Sequence, residues 1–221
     1  MIVGVFPQLS AAGGVQRASR LTAAALVSFA VRRGYRCSLL SLNDSPDASH
    51  IRFGSEEIAF TGLPALLSTV PDLHLVAIGD GTDLPRLEGL AKQLGVSAHV
   101  HFLGQMQPEE VSVAYGACEL FALPSRGEGF GLVFLEAMSH GKPVIGGAHG
   151  GTPEIIEEGI TGYLVQHGDV TQLTERLLHL MSDESCRRQM GEKAFARARS
   201  DFTYPRFSKE LTGLLDHVLA S

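Results

Sequence analysis

Cysteine is scarce in this chain. Its 221 residues hold three, Cys37, Cys118 and Cys186, far apart and odd in number. They suggest neither a disulfide framework nor a zinc spacing, which favours a reducing, cytoplasmic setting. Long apolar runs are also lacking. The longest, Leu21 to Val31, is interrupted by Thr22 and Ser28 and stops at Arg32-Arg33, short of the roughly 20 residues a bilayer requires. Met1 to Pro7 carries no basic stretch and reads as a strand, not a signal peptide. Positive charge is in deficit: 18 Lys and Arg against 24 Asp and Glu leave a net charge of −6. That disfavours nucleic acid as a partner, because phosphates demand a basic face. The deficit is uneven, with six Arg against four acids in residues 1–62 and twelve bases against twenty acids in residues 63–221. Arg17, Arg20, Arg32, Arg33 and Arg36 would permit weak peripheral contact with anionic lipid at an inner membrane face. A solvated helix face explains them more simply. A dinucleotide fingerprint is missing as well. Gly79-Asp80-Gly81 and Gly127-Glu128-Gly129 both lack the third glycine of G-x-G-x-x-G.

What remains is a globular composition, 44% hydrophobic with a mean hydropathy of +0.11. It suffices for one sizeable core, or one full domain plus a fragment. Residues 1–7 read as a strand, 15–33 as a helix stopped by Gly34, and 35–42 as a second strand: one βαβ unit. Residues 50–60 read as extended. From residue 63 strands and helices alternate regularly. Helices are expected at 63–70, 83–94, 108–117, 131–140, 153–158, 169–182, 184–201 and 205–219. Strands are expected at 73–78, 99–103, 120–124, 143–146 and 162–165. This alternation predicts an α/β fold with a Rossmann-like, doubly wound parallel sheet. Ligands of such sheets bind beyond the carboxyl ends of the strands, where the glycine-rich turns after residues 78, 103, 124 and 146 fall.

The stretch Gly127-Glu128-Gly129-Phe130-Gly131-Leu132-Val133-Phe134-Leu135-Glu136 stands out. A glycine-rich turn from strand to helix offers bare backbone N–H groups and the positive end of a helix to an anion. If Gly131 opens the helix, Glu136 lies about 7.5 Å along its axis, and its side chain leans back toward the turn that holds Glu128. Two carboxylates beside an anion cradle suit a sugar nucleotide. Carboxylates accept hydrogen bonds from hydroxyls, and backbone amides hold a diphosphate.

These residues resemble the donor-site signature of retaining GT-B glycosyltransferases of family 4. The resemblance runs from Pro124-Ser125-Arg126-Gly127-Glu128 through Glu136-Ala137-Met138. It extends to Gly79-Asp80-Gly81, Phe102-Leu103-Gly104, Gly141-Lys142-Pro143, Gly150-Gly151-Thr152-Pro153-Glu154 and Gly159 to Val165. Residues 1–42, with the loop Gly13-Gly14-Val15-Gln16-Arg17, are similar to the opening unit of that family's acceptor domain. The resemblance implies residues 1–62 as a remnant of the acceptor domain and residues 63–221 as the nucleotide-sugar donor domain. It implies Glu128 as the catalytic carboxylate beside the donor sugar. Ser125, Gly127, Gly129, Phe130, Gly131, Leu132 and Val133 would form the donor cradle, and Glu136 would hold the ribose hydroxyls. Leu103 and Gly104 would bracket the base, and Gly13 and Gly14 would close from the other domain. It further implies transfer with retention and no metal or other cofactor. The chain has no Asp-x-Asp motif, which agrees.

The family pattern is not complete here. Its donor domain opens with a strand followed by an Arg and a Lys that neutralise the diphosphate leaving group, where charge develops. Glu57 to Gly62 is read as that strand, yet it runs directly into Leu63-Pro64-Ala65-Leu66-Leu67 with no such pair. About 60 residues precede the donor part, too few for a second Rossmann-like domain, so an internal deletion joined near Gly62 is expected. The runner-up reading is a non-catalytic nucleotide-sugar-binding module completed by a partner chain or a second copy. A nucleotide-sugar epimerase of the same fold is a further alternative. The acceptor is not specified by these motifs. His99 and His101 share a strand face without a carboxylate or cysteine to complete a metal set, and read as structural.

Overall fold

The computed structural model describes residues 2–5, 37–40, 55–79, 81–126, 130–210 and 212. The helix expected at 15–33 and the loop holding Gly13 and Gly14 lie outside them. In chain order the elements are β1 (Ile2–Val5), β2 (Cys37–Leu40), α1 (Ser55–Thr69), β3 (His74–Ile78) and α2 (Leu84–Gln93). Then follow a 3-10 turn (Ser97–His99), β4 (Val100–Phe102), α3 (Pro108–Ala117), β5 (Phe121–Leu123), α4 (Leu132–Ser139) and β6 (Val144–Gly147). α5 (Thr152–Ile155), β7 (Gly162–Val165), α6 (Val170–Ser182) and α7 (Glu184–Asp201) follow, with further helix at 204–210.

The seven strands among the described residues pair in parallel. The pairings run β4 to β3, β3 to β2, β2 to β5, β5 to β6 and β6 to β7, and β1 also pairs with β3. Strand β2, from the amino-terminal part of the chain, therefore lies in the middle of the sheet. It carries Cys37 opposite His74 and Leu39 opposite Phe121. From β2 the chain winds outward through β3 to β4, then returns and winds the other way through β5, β6 and β7. The direction reverses between β2 and β5, and a parallel sheet opens a ligand crevice at such a reversal.

Side chains alternate across the sheet, as a period of two requires. Val76, Ile78, Phe121, Leu123 and Val144 pack on one face with Tyr115 of α3, Phe134 and Met138 of α4 and Ala194 of α7. Leu75, Ala77, Ala122, Ile145 and Val165 pack on the other with Leu63 of α1, Leu87 of α2 and Leu177 of α6. Both faces are covered, which is why β5 and β6 carry no polar side chain.

Residues 55–62 are helical, not extended. Thr61-Gly62-Leu63-Pro64 contains two residues that ordinarily break helices, and this invited the reading as a strand end. The helix persists because Phe60, Leu63 and Leu66 recur at a spacing of three and are buried together. Gly62 is needed there, since a Cβ would collide with Thr174 Oγ1 of α6. The helix expected at 153–158 shrinks to Thr152–Ile155. Ile156 leaves it with an extended backbone, φ −90° and ψ 119°.

Candidate functional site

The crevice begins at the end of β5. Pro124 and Ser125 are buried and Arg126 is exposed. Gly127, Glu128 and Gly129 lie outside the described residues, and the chain resumes at Phe130 and Gly131. Gly131 is the N-cap of α4, with φ 85° and ψ 44°. A Cβ there would sit 2.8 Å from the Phe134 ring, so both backbone and space call for glycine. A glycine cap supplies no side-chain acceptor, and no acid occupies the first turn of α4. The first N–H groups of the helix, at Leu132 and Val133, thus present the positive end of eight residues toward the crevice. That arrangement suits an anionic group. Leu132 is 62% exposed and Val133 is buried beneath it. At the rim, Phe130 is exposed and meets Phe202 edge-on, with ring centroids 6.1 Å apart.

Further along α4, Glu136 accepts a hydrogen bond at Oε2 from the Tyr115 hydroxyl of α3, at 3.1 Å. Glu136 is an exposed residue. Protein crowding its carboxyl nevertheless raises its pKa by desolvation, and the Tyr115 bond opposes the rise. Tyr115 is pushed well above the ordinary phenol value, first by burial and then by the Glu136 charge. At neutral pH the phenol therefore keeps its proton and donates the hydrogen bond.

The opposite end of the crevice is built by β3 and β4. Leu103 N donates to Ala77 O at 2.9 Å, and Gly79 N donates to Gly104 O at 2.8 Å. Gly104 turns the chain with φ 66°. β3 and β2 lie between β4 and β5, so the turns that leave β4 and β5 start three strand steps apart, about 14 Å. Only an elongated ligand lying across the strand ends would reach both. A third wall comes from β6. A Cβ on Gly147 would strike the Ser125 carbonyl, so β6 lies hard against the turn that leaves β5. Beyond it, Arg197 of α7 donates to the Glu154 and Ile155 carbonyls, both at 2.9 Å, and closes the carboxyl end of α5. The motifs did not single out Tyr115 or Arg197. Each acts through an element distant in sequence, and neither type nor spacing signals that.

Leu103, Gly104, Ser125, Phe130, Gly131, Leu132, Val133 and Glu136 thus lie on the turns and the helix that meet the carboxyl edge of the sheet. Glu128, Gly127, Gly129, Gly13 and Gly14 are outside the described residues. No group of three or more His, Cys, Asp or Glu among the described residues is arranged to hold a metal ion. None of the described helices is long and apolar enough to cross a membrane.

The family described as "Glycosyl transferases group 1" matches residues 59–197. Over 130 residues the chain is 40% identical to the N-acetyl-alpha-D-glucosaminyl L-malate synthase of Bacillus anthracis, covering 59% of this chain and 34% of that protein. Over 160 residues it is 33% identical to a GDP-mannose-dependent monoacylated alpha-(1-6)-phosphatidylinositol monomannoside mannosyltransferase of Corynebacterium glutamicum, covering 69% of this chain and 41% of that one. In three dimensions it is similar to Anabaena HepE, crystallised with UDP, with a TM-score of 0.70 and 22% identity over 88% of this chain and 53% of HepE. The last likeness speaks to the fold. The chain spans about a third to a half of the length of these proteins.

Proposed function

The chain belongs to the group 1 glycosyl transferases, a family of transferases, and from that premise we propose that its crevice binds a nucleotide-sugar donor. The observation that carries this reading is the left-handed glycine cap of α4 at the reversal point of the sheet. It leaves the first N–H groups of the helix to an anion, with Glu136 beyond them for hydroxyls. In this reading the diphosphate of a UDP- or GDP-sugar lies against Gly129 to Val133, and its ribose meets Glu136. Its base lies toward Leu103 and Gly104. Ser125 and Gly127 shape the floor, and Glu128 faces the sugar near the carbon that is transferred. Gly13 and Gly14 approach from the amino-terminal part. The activity proposed is transfer of the sugar with retention to an acceptor hydroxyl, without a metal.

A second reading is favoured by one observation, the short span of the chain relative to its relatives. It is a nucleotide-sugar-binding module whose acceptor wall comes from another chain or another copy. Isothermal titration with UDP and with GDP tests the common part of both readings. Saturable heat at micromolar to low millimolar nucleotide is expected. No heat at 10 mM of either, about −3 kcal/mol in binding terms, would remove them both. Donor turnover with and without a partner then separates transferase from binding module.

A further inference from the structure

We propose that Tyr115 is the positioning residue for Glu136: its hydroxyl holds one carboxylate oxygen so that the other faces the ribose diol of the bound nucleoside diphosphate. The inference rests on the reading of α4 as a nucleotide-sugar site. Glu136 stands on an exposed helix face, where a long side chain samples several rotamers and each ordering costs entropy. Binding groups held by a further hydrogen bond lose less on meeting their ligand. Tyr115 supplies that hold. Its donor is 3.1 Å from Oε2 of Glu136, and Oε1 has no partner among the described residues.

Tyr115 is itself fixed. It is 2% exposed, and its ring meets Phe121 edge-on at 5.6 Å and lies against His140 at 5.9 Å. His140 is in turn tied to Ser112 of α3, with Nε2 and Oγ 3.1 Å apart. Burial first, then the Lys142 charge, lower the His140 pKa, so a neutral ring packs there and does not compete as a cation for Glu136. The hydroxyl is the single polar contact this packed ring makes with α4, and it falls on the one acid of that helix.

The test is titration of the full chain with UDP, GDP and their 2′-deoxy counterparts. A charge-assisted hydrogen bond to the 2′-hydroxyl should make the wild type prefer the ribose forms by about tenfold. Tyr115→Phe keeps the ring and should reduce that preference to about threefold or less, with the melting temperature little changed. Glu136→Asp keeps the charge but is too short to span both partners. It should lose the preference equally, with Tyr115 untouched. If the wild type binds no nucleotide, the proposed function fails. If it binds with no ribose preference, the assignment of Glu136 fails and Tyr115 with it. A ribose preference kept in Tyr115→Phe overturns the positioning role alone, and one kept in Glu136→Asp overturns the assignment of Glu136 and the positioning role with it.

Discussion

A residue other than glycine at position 131 would have to hold φ at 85° with its Cβ 2.8 Å from the Phe134 ring. The left-handed conformation alone costs an L-residue about 1–2 kcal/mol, and the contact adds to it. Gly131→Ala should therefore lower stability by at least that amount in urea denaturation. It should also weaken UDP or GDP binding more than the stability loss accounts for, because the N–H groups of Leu132 and Val133 would be re-aimed. Unchanged nucleotide affinity in a folded Gly131→Ala would mean that the helix end does not meet the ligand. The place of Gly131 at the start of α4 was legible in the sequence, because a glycine between an apolar strand and an apolar helix marks the turn that joins them. That of Tyr115 was not, because its partner lies 21 residues away on a neighbouring helix, and only packing brings them together.

At the scale of elements, β3 and β4 carry a titratable seam on the side of the sheet away from the crevice. His74 Nδ1 and His101 Nε2 are 2.9 Å apart, and His99 lies against the His74 ring at 5.2 Å. Burial first, then the His101 charge, lower the pKa of His74 from 6.5 to about 4. Burial first lowers that of His101 too. His99 pushes in the same direction for both, and Asp72 opposes for His74. A histidine whose folded pKa is depressed is held neutral by the fold. As pH falls below 6.5 the unfolded chain takes up the proton first. Stability from this seam is full above pH 6.5 and is lost progressively toward pH 4. Glu136 works in the opposite sense, since its raised folded pKa makes the native state the better proton binder. One exposed carboxylate does not offset two crowded imidazoles. The urea midpoint should fall between pH 7.5 and pH 5, and His101→Asn should flatten that slope. A midpoint unchanged over this range would contradict the account. Most elements from residue 73 to 201 were legible because glycines and prolines punctuate them and apolar residues repeat with the right period. α1 was not. Gly62 and Pro64 look like breakers in isolation, and the burial that overrides them belongs to α6.

For the whole molecule the decisive fact is that β2 sits between β3 and β5. The sequence motifs divide the chain at residue 62, because every donor-site signature follows it. Sheet pairing is not local, and nothing in residues 37–40 announces which strands they will join. The consequence can be measured. Removing residues 1–54 deletes β1 and β2 together. β3 and β5 would then face a gap in the centre of the sheet, with backbone donors and acceptors unpaired and two apolar edges open to other chains. A fragment 55–221 should be recovered largely as aggregate, or melt without a cooperative transition, although it holds the whole stretch matched by the family. Adding a peptide of residues 35–42 in excess should restore part of the cooperativity, because the register of β2 is set by the strands on either side of it. A fragment that melts cooperatively alone, as stable as the full chain, would show that β2 is an accessory to the sheet and that the crevice beside it is built without it.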